Sequence, residues 1–321
     1  MSKKIKSIFI KSLFDSNDIY WKLKDVNVLV GKNGAGKSTI LQLIRYTVQN
    51  KYNYDVFSSC EGSRIAFESE TDEDSINVIF SPKVIKETFS KAFIKSNLNN
   101  LKNEFTIAEE DIGVYKIDKK LEDRINNFIL KENIFTEHID QLLDDNNVKI
   151  NVEYISTINM TANSTQNIQK SDGGSASFLD YEINEELNSL IFSQNSENHK
   201  KKLISSLNYM FKDSNKIVSF KKNKLYFKLK NGKTIEYKSL SSGERQVIYI
   251  FIKVLNALDN EALILMDEPE ISLHLSWQEN LISEIRKLND SSQLVIVTHS
   301  PAIVMNGWMD SFVDINEIIV E

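Results

Sequence analysis

Three short stretches hold residues whose types and spacing could do phosphate chemistry. The first is Gly31-Lys32-Asn33-Gly34-Ala35-Gly36-Lys37-Ser38-Thr39, which fits G-x-x-x-x-G-K-[ST] from Gly31 to Ser38. Glycines at these positions let the backbone curl so that several N–H groups point at phosphate oxygens. The residues from Asn33 to Thr39 are therefore candidate phosphate binders, with Lys37 reaching the outer phosphates and the Ser38 hydroxyl ligating Mg²⁺. The second stretch, Ala262 to Pro269, is five apolar residues that end in Asp267 and Glu268. Asp267 is a candidate Mg²⁺ ligand, directly or through water, and Glu268 a candidate to orient and deprotonate an attacking water. The third, Leu294 to Pro301, ends its apolar run in Thr298-His299-Ser300. A lone histidine is usually structural, but one in this position is expected to sense the γ-phosphate.

The elements that must position these groups are legible around them. Val26 to Val30 reads as a buried strand, and Ser38 to Gln49 as a helix with Ile40, Leu41, Ile44 and Val48 on one face. Strand, glycine loop, helix is the context that makes a phosphate loop, and the helix adds its positive dipole end. Asp267, Glu268 and His299 then stand at the C-terminal edge of buried strands, where open α/β sheets bind ligands. A fourth stretch, Leu240-Ser241-Ser242-Gly243-Glu244-Arg245-Gln246, opens a helix with Val247, Phe251, Val254, Leu255 and Leu258 at helical spacing. Taken alone it reads as a serine-capped polar helix start.

With these four stretches in this order, the chain resembles the ABC-type ATPases. More narrowly, it is similar to the soluble branch that includes RecF and SMC proteins, OLD-type ATPases and the ATPase subunits of Septu-like phage-defence systems. The narrowing rests on Leu240-Ser241-Ser242-Gly243-Glu244 in place of the transporter L-S-G-G-Q. It rests also on Asp267-Glu268-Pro269-Glu270-Ile271-Ser272-Leu273-His274 and Thr298-His299-Ser300-Pro301. The resemblance covers about residues 1–83 and 217–321. It implies an α/β, ABC-type P-loop head with a mixed central sheet, an antiparallel β subdomain and a helical insertion. It implies ATP and Mg²⁺ as cofactors, Glu268, His299 and Lys37 as catalytic residues, and a homodimer in the ATP-bound state, with a higher oligomer as the alternative. In that dimer Ser241, Gly243 and Glu244 would touch the ATP held by the other subunit. The implied role is a conformational switch in a prokaryotic anti-phage system, acting on a separately encoded nuclease or toxin. The alternatives are a RecF-like repair ATPase that binds DNA itself and, disfavoured by the variant motifs, a transporter subunit.

Composition and the rest of the chain fit this frame. Hydrophobic content of 41% over 321 residues supports a packed core with a sizeable insertion. No apolar stretch approaches the roughly 20 residues of a bilayer span, so a cytoplasmic protein without membrane contact is expected. The single cysteine, Cys60, excludes an internal disulfide and a cysteine-built zinc cluster. A net charge of −6 argues against a DNA-coating surface, while leaving room for a local basic groove. Between the two ATPase parts, residues 84–216 read as a mostly helical insertion, with Val152 to Ser156 a strand returning to the core. Residues 161–177 read as a mobile loop. Asn231-Gly232 marks a hairpin. A glutamine loop has no clear position: the turn near Thr157-Ile158-Asn159 lacks the glutamine. Tyr20 and Trp21 are candidates to stack on adenine, with core packing as their other reading.

Overall fold

The computed structural model of the chain describes residues 4–49, 51, 53–68, 76–80, 150–156, 167–169 and 175–320. The helices expected from 84 to 146 and the turn at 157–159 lie outside the described residues. In chain order the first elements are β1 (Ile5–Leu13), β2 (Asn17–Lys22), β3 (Val26–Val30), α1 (Lys37–Val48), the short α2 (Tyr54–Phe57), β4 (Gly62–Phe67), β5 (Ile76–Phe80) and β6 (Val152–Ser156). There follow β7 (Asn167–Gln169), β8 (Ser175–Ser177), α3 (Phe178–Phe192), α4 (Ser196–Met210), β9 (Ile217–Lys221), β10 (Lys224–Lys228), β11 (Thr234–Glu236) and α5 (Ser242–Asp259). The last are β12 (Leu263–Asp267), α6 (Leu275–Leu288), β13 (Leu294–Thr298), β14 (Phe312–Asp314) and β15 (Ile319–Val320).

The central sheet runs β14-β3-β13-β12-β6, and every pairing in it is parallel. All five residues of β12 and all five of β13 are buried, as expected for parallel strands covered on both faces. The two-residue period then divides the core in two. Ile264, Met266, Leu294 and Ile296 join one cluster with α3, α4, α5 and α6. Leu263, Leu265, Val295 and Val297 join a second cluster with α1 and the N-terminal strands. Asp267 follows Leu263 and Leu265 in this alternation, so the strand's own period turns it toward α1. The second cluster is closed by an antiparallel sheet, β15-β2-β1-β4-β5. Gln293 ties the two sheets: its side chain accepts from the Ile5 N–H at 2.8 Å and donates to the Ile5 carbonyl at 2.9 Å. Parallel and antiparallel pairing are thus divided between separate sheets among the described residues, where a mixed central sheet was expected.

A third sheet, β11-β10-β9, is antiparallel, and its β10–β11 turn holds the expected glycine, Gly232, at φ +82°. Within the 161–177 stretch β7 pairs antiparallel with β8. The 84–216 span contributes β6 to the central sheet and α3 and α4 to the first core cluster. Helix α5 differs from the one-faced helix its spacing suggests. Val247 to Ile252 are buried without a break, while Leu258 is only partly so. The helix lies between α3, α4, α6 and the central sheet, so most of its circumference is buried.

Candidate functional site

The loop between β3 and α1 owes its shape to two glycines. Gly34 and Gly36 have φ of +77° and +90°, in the left-handed region that side chains avoid. A Cβ on Gly36 would also meet the Phe14 ring at 2.7 Å. Gly36 is the N-cap of α1, and no side chain caps this helix; its first turn holds no acidic residue. Its first N–H groups are therefore left facing the loop without a side-chain acceptor, the arrangement that receives an anion.

This helix end opens into a cleft of 380 Å³ lined by Phe14, Asn33, Gly34, Gly36, Lys37, Ser38, Thr39, Glu268 and His299. Every one of these lining residues except Phe14 was predicted from the sequence. Lys37, only 4% exposed, donates to the carbonyls of Gly31 (2.9 Å) and Lys32 (3.0 Å), and its Nζ lies 3.1 and 3.2 Å from the two His299 ring nitrogens. Burial pulls its ammonium below the ordinary value, against the opposing pull of Glu268, Asp267 and Glu270. Glu268 Oε1 sits 2.7 Å from His299 Nε2. The Ser38 hydroxyl donates to Asp267 Oδ1 at 2.9 Å. Glu268 itself is held at φ +49°, a strained backbone for a non-glycine residue, and its N–H donates to the Val297 carbonyl at 2.9 Å. A larger depression of 470 Å³, beside Gln49, Ile150 and Asn260, is lined by none of the candidate phosphate-binding, metal or catalytic residues.

The remaining predicted residues are placed differently. Ala35 packs on the core cluster of α1 rather than lining the cleft. Ser241, Gly243 and Glu244 are not among the residues lining this cleft. Ser241 and Glu244 form a capping box on α5: the Glu244 N–H donates to Ser241 Oγ at 3.3 Å, and the Ser241 N–H donates to Glu244 Oε2 at 3.0 Å. Burial alone would raise the Glu244 carboxyl, but the paired Lys216 ammonium and the Ser241 donors outweigh it and leave it lowered. A Cβ on Gly243 would collide with the Ser272 carbonyl oxygen, and Gln246 donates to the Pro269 carbonyl at 2.9 Å. The start of α5 therefore packs on the segment that follows Glu268.

Trp21 is 2% exposed and belongs to the core, which settles its two readings as packing. Tyr20 is 40% exposed and does not line the cleft. The aromatic residue that does is Phe14, 51% exposed in the β1–β2 turn at φ +55°. No periodicity in the sequence marks it, because it belongs to a turn. Two more residues were missed for their contacts. Tyr154 donates its hydroxyl to Asp267 Oδ2 at 3.0 Å. Glu270, within a recognised motif but without a role, accepts the His299 N–H at 2.9 Å on Oε1.

A parallel sheet with a glycine loop, buried lysine and two strand-end carboxylates is the fold of an ABC-type P-loop ATPase head. The chain belongs to the family described as AAA domain, putative AbiEii toxin, Type IV TA system, whose model matches residues 26–306. Among curated proteins it is 25% identical over 242 residues to the Retron Vc95 probable ATPase of Vibrio cholerae serotype O1 biovar El Tor, covering 71% of this chain and 43% of that protein. It is 29% identical over 92 residues to the Septu protein PtuA of Bacillus thuringiensis, covering 25% of this chain and 23% of that one. The chain thus matches less than half the length of these relatives. Among solved structures, the SMC head domain from Thermotoga maritima aligns with 94% of this chain and 92% of its own, at 12% identity and a TM-score of 0.47.

Proposed function

We propose that the chain binds ATP with Mg²⁺ in this cleft and hydrolyses it. The observation that carries the reading is one cleft holding an uncapped glycine-built helix end, a buried lysine, a strand-end carboxylate and a histidine, with the Ser38–Asp267 pair at its wall. The donor set fits both ligands: N–H groups and an ammonium for phosphates, a hydroxyl and a carboxylate for a hard divalent cation. Asn33 to Thr39 would cradle the phosphates, with Lys37 on the outer ones. Ser38 and Asp267 would hold Mg²⁺, which supplies positive charge against the phosphate oxygens. Glu268 takes a proton from the attacking water as the water oxygen bonds to the γ-phosphorus and the bond to the bridging oxygen breaks, giving ADP and phosphate. His299, already within hydrogen-bond reach of Glu268, would contact the γ-phosphate. Phe14 would flank the base.

The start of α5 lies outside its own chain's cleft, and Ser241 is exposed. This supports two chains meeting head to tail, each presenting Ser241, and the turn that buried Gly243 and Glu244 shape behind it, to the ATP of the other. ATP binding would close the dimer and hydrolysis would release it. The named retron and Septu relatives support a place in phage defence, with a separately encoded nuclease or toxin as the regulated partner and DNA as the competing ligand. In this reading residues 1–83 and 217–321 form the ATPase unit together with β6, α3 and α4, and the 84–216 insertion that supplies those elements also carries the partner contact. Among the described residues no helix is long and apolar enough to cross a membrane.

Glu268→Gln tests the reading. It keeps the shape and removes the base, so turnover should fall by about 10²–10⁴-fold while ATP still binds. Wild-type turnover in this variant would assign the base elsewhere, and a wild-type chain without ATPase activity would end the proposal.

A further inference from the structure

Asp267 is clamped from two directions. Its Oδ1 accepts from Ser38 on α1 at 2.9 Å, and its Oδ2 accepts from the Tyr154 hydroxyl on β6 at 3.0 Å. The second contact follows from the register. In the parallel pairing of β6 and β12, Tyr154 stands opposite Leu265, and Asp267 is the next residue of β12 on the same face. Diagonal neighbours of this kind are within reach of a long aromatic side chain. The Tyr154 ring is itself fixed, because the Arg45 guanidinium lies 4.8 Å from its centroid. Arg45 belongs to α1, the helix that carries Ser38, so one helix orients both donors.

We propose that Tyr154 is a positioning residue for Asp267, fixing the carboxylate so that its remaining lone pairs face the divalent cation. This rests on the nucleotide-hydrolase reading above. A side chain that only filled the core would need the ring and not the hydroxyl. Carboxylates that ligate metals are held by hydrogen bonds of this type, and losing such a partner costs about 10–100-fold in metal affinity or activity. The neighbouring residue offers a control on the same strand. Glu153 points to the opposite face, where Lys253 of α5 pairs with it at 2.7 Å and with Glu186 of α3 at 2.6 Å.

The experiment uses Mn²⁺ in place of Mg²⁺, with its binding followed by electron paramagnetic resonance on the full chain loaded with a non-hydrolysable ATP analogue. Tyr154→Phe should weaken Mn²⁺ binding by about 10-fold or more. Binding of the analogue in the presence of EDTA should be unchanged. Glu153→Gln, which disturbs the same strand from its other face, should leave Mn²⁺ affinity as in wild type. Wild-type Mn²⁺ affinity in Tyr154→Phe, or equal loss in both variants, would overturn the proposal. So would a Tyr154→Phe chain that fails to fold, since ring and shape are kept. If wild type binds nucleotide and Mn²⁺ and Tyr154→Phe matches it, only the role of Tyr154 falls. If wild type binds neither, the hydrolase reading falls and takes this proposal with it.

Discussion

Helices α1 and α5 both start at a turn rich in glycine and serine, and their N-termini are finished in opposite ways. The end of α1 has a glycine cap, no side-chain acceptor and no acid in its first turn. The end of α5 has a complete capping box, and its Glu244 is further paired with Lys216. Every helix start leaves N–H groups that need partners. At α5 the chain supplies them itself, which stabilises the helix. At α1 it does not, and the uncapped positive end lies beside a buried lysine and two strand-end carboxylates. The difference separates two jobs that look alike in sequence. In the proposed reading the α1 end takes the ligand, while the α5 end, closed by its own capping box, would offer a nucleotide only a preformed turn.

The comparison breaks most visibly at Lys37. Lys37→Ala should weaken ATP affinity by about 10–100-fold, the worth of a charge-assisted hydrogen bond, as read by calorimetry. Thermal stability should be little affected, because the ammonium is already penalised by burial in the free chain. An unchanged ATP affinity would remove the functional half of the contrast. Glu244→Ala probes the other end and should do the reverse. It should cost about 1 kcal/mol of stability, the usual worth of a cap, with ATP affinity of the single chain unchanged. The pH dependence sharpens it. The Glu244 carboxyl is lowered from 4.5 in the folded chain, so its contribution is present above that pH and is lost as pH falls through the lowered value. The gap in melting temperature between wild type and Glu244→Ala should therefore close on acidification. A gap that persisted unchanged would mean that the charge of Glu244 does not hold the cap.

Much of this contrast was legible in the sequence, and the reasons are specific. Strands β3, β12 and β13 announce themselves as apolar runs, and the polar residues that end them must lie at one sheet edge. That is why Lys37, Asp267, Glu268 and His299 could be grouped before any contact was seen. The capping box was half visible, since Ser241 precedes Glu244 by three residues. What stayed hidden depends on through-space geometry. Tyr154 reaches Asp267 across 113 positions by strand register, which an unpaired β6 does not reveal. Phe14 reaches the cleft from a turn with left-handed residues on a chain segment where Tyr20 and Trp21 looked equally able. The extent of burial of α5 also escaped, because spacing along one helix cannot show how many neighbours surround it.

The central claim is that one chain's α1 end and another chain's α5 end complete a single site. Mixing two variants tests it most directly. Lys37→Ala damages the first end only, and Ser241→Arg the second only, so each alone should be inactive in ATP hydrolysis. Mixed in equal amounts, they should regain activity, because one of the two sites in a heterodimer joins an intact α1 end to an intact α5 end. Heterodimers that are demonstrably formed and yet hydrolyse no ATP would contradict the account and leave the α5 end as a helix cap and nothing more.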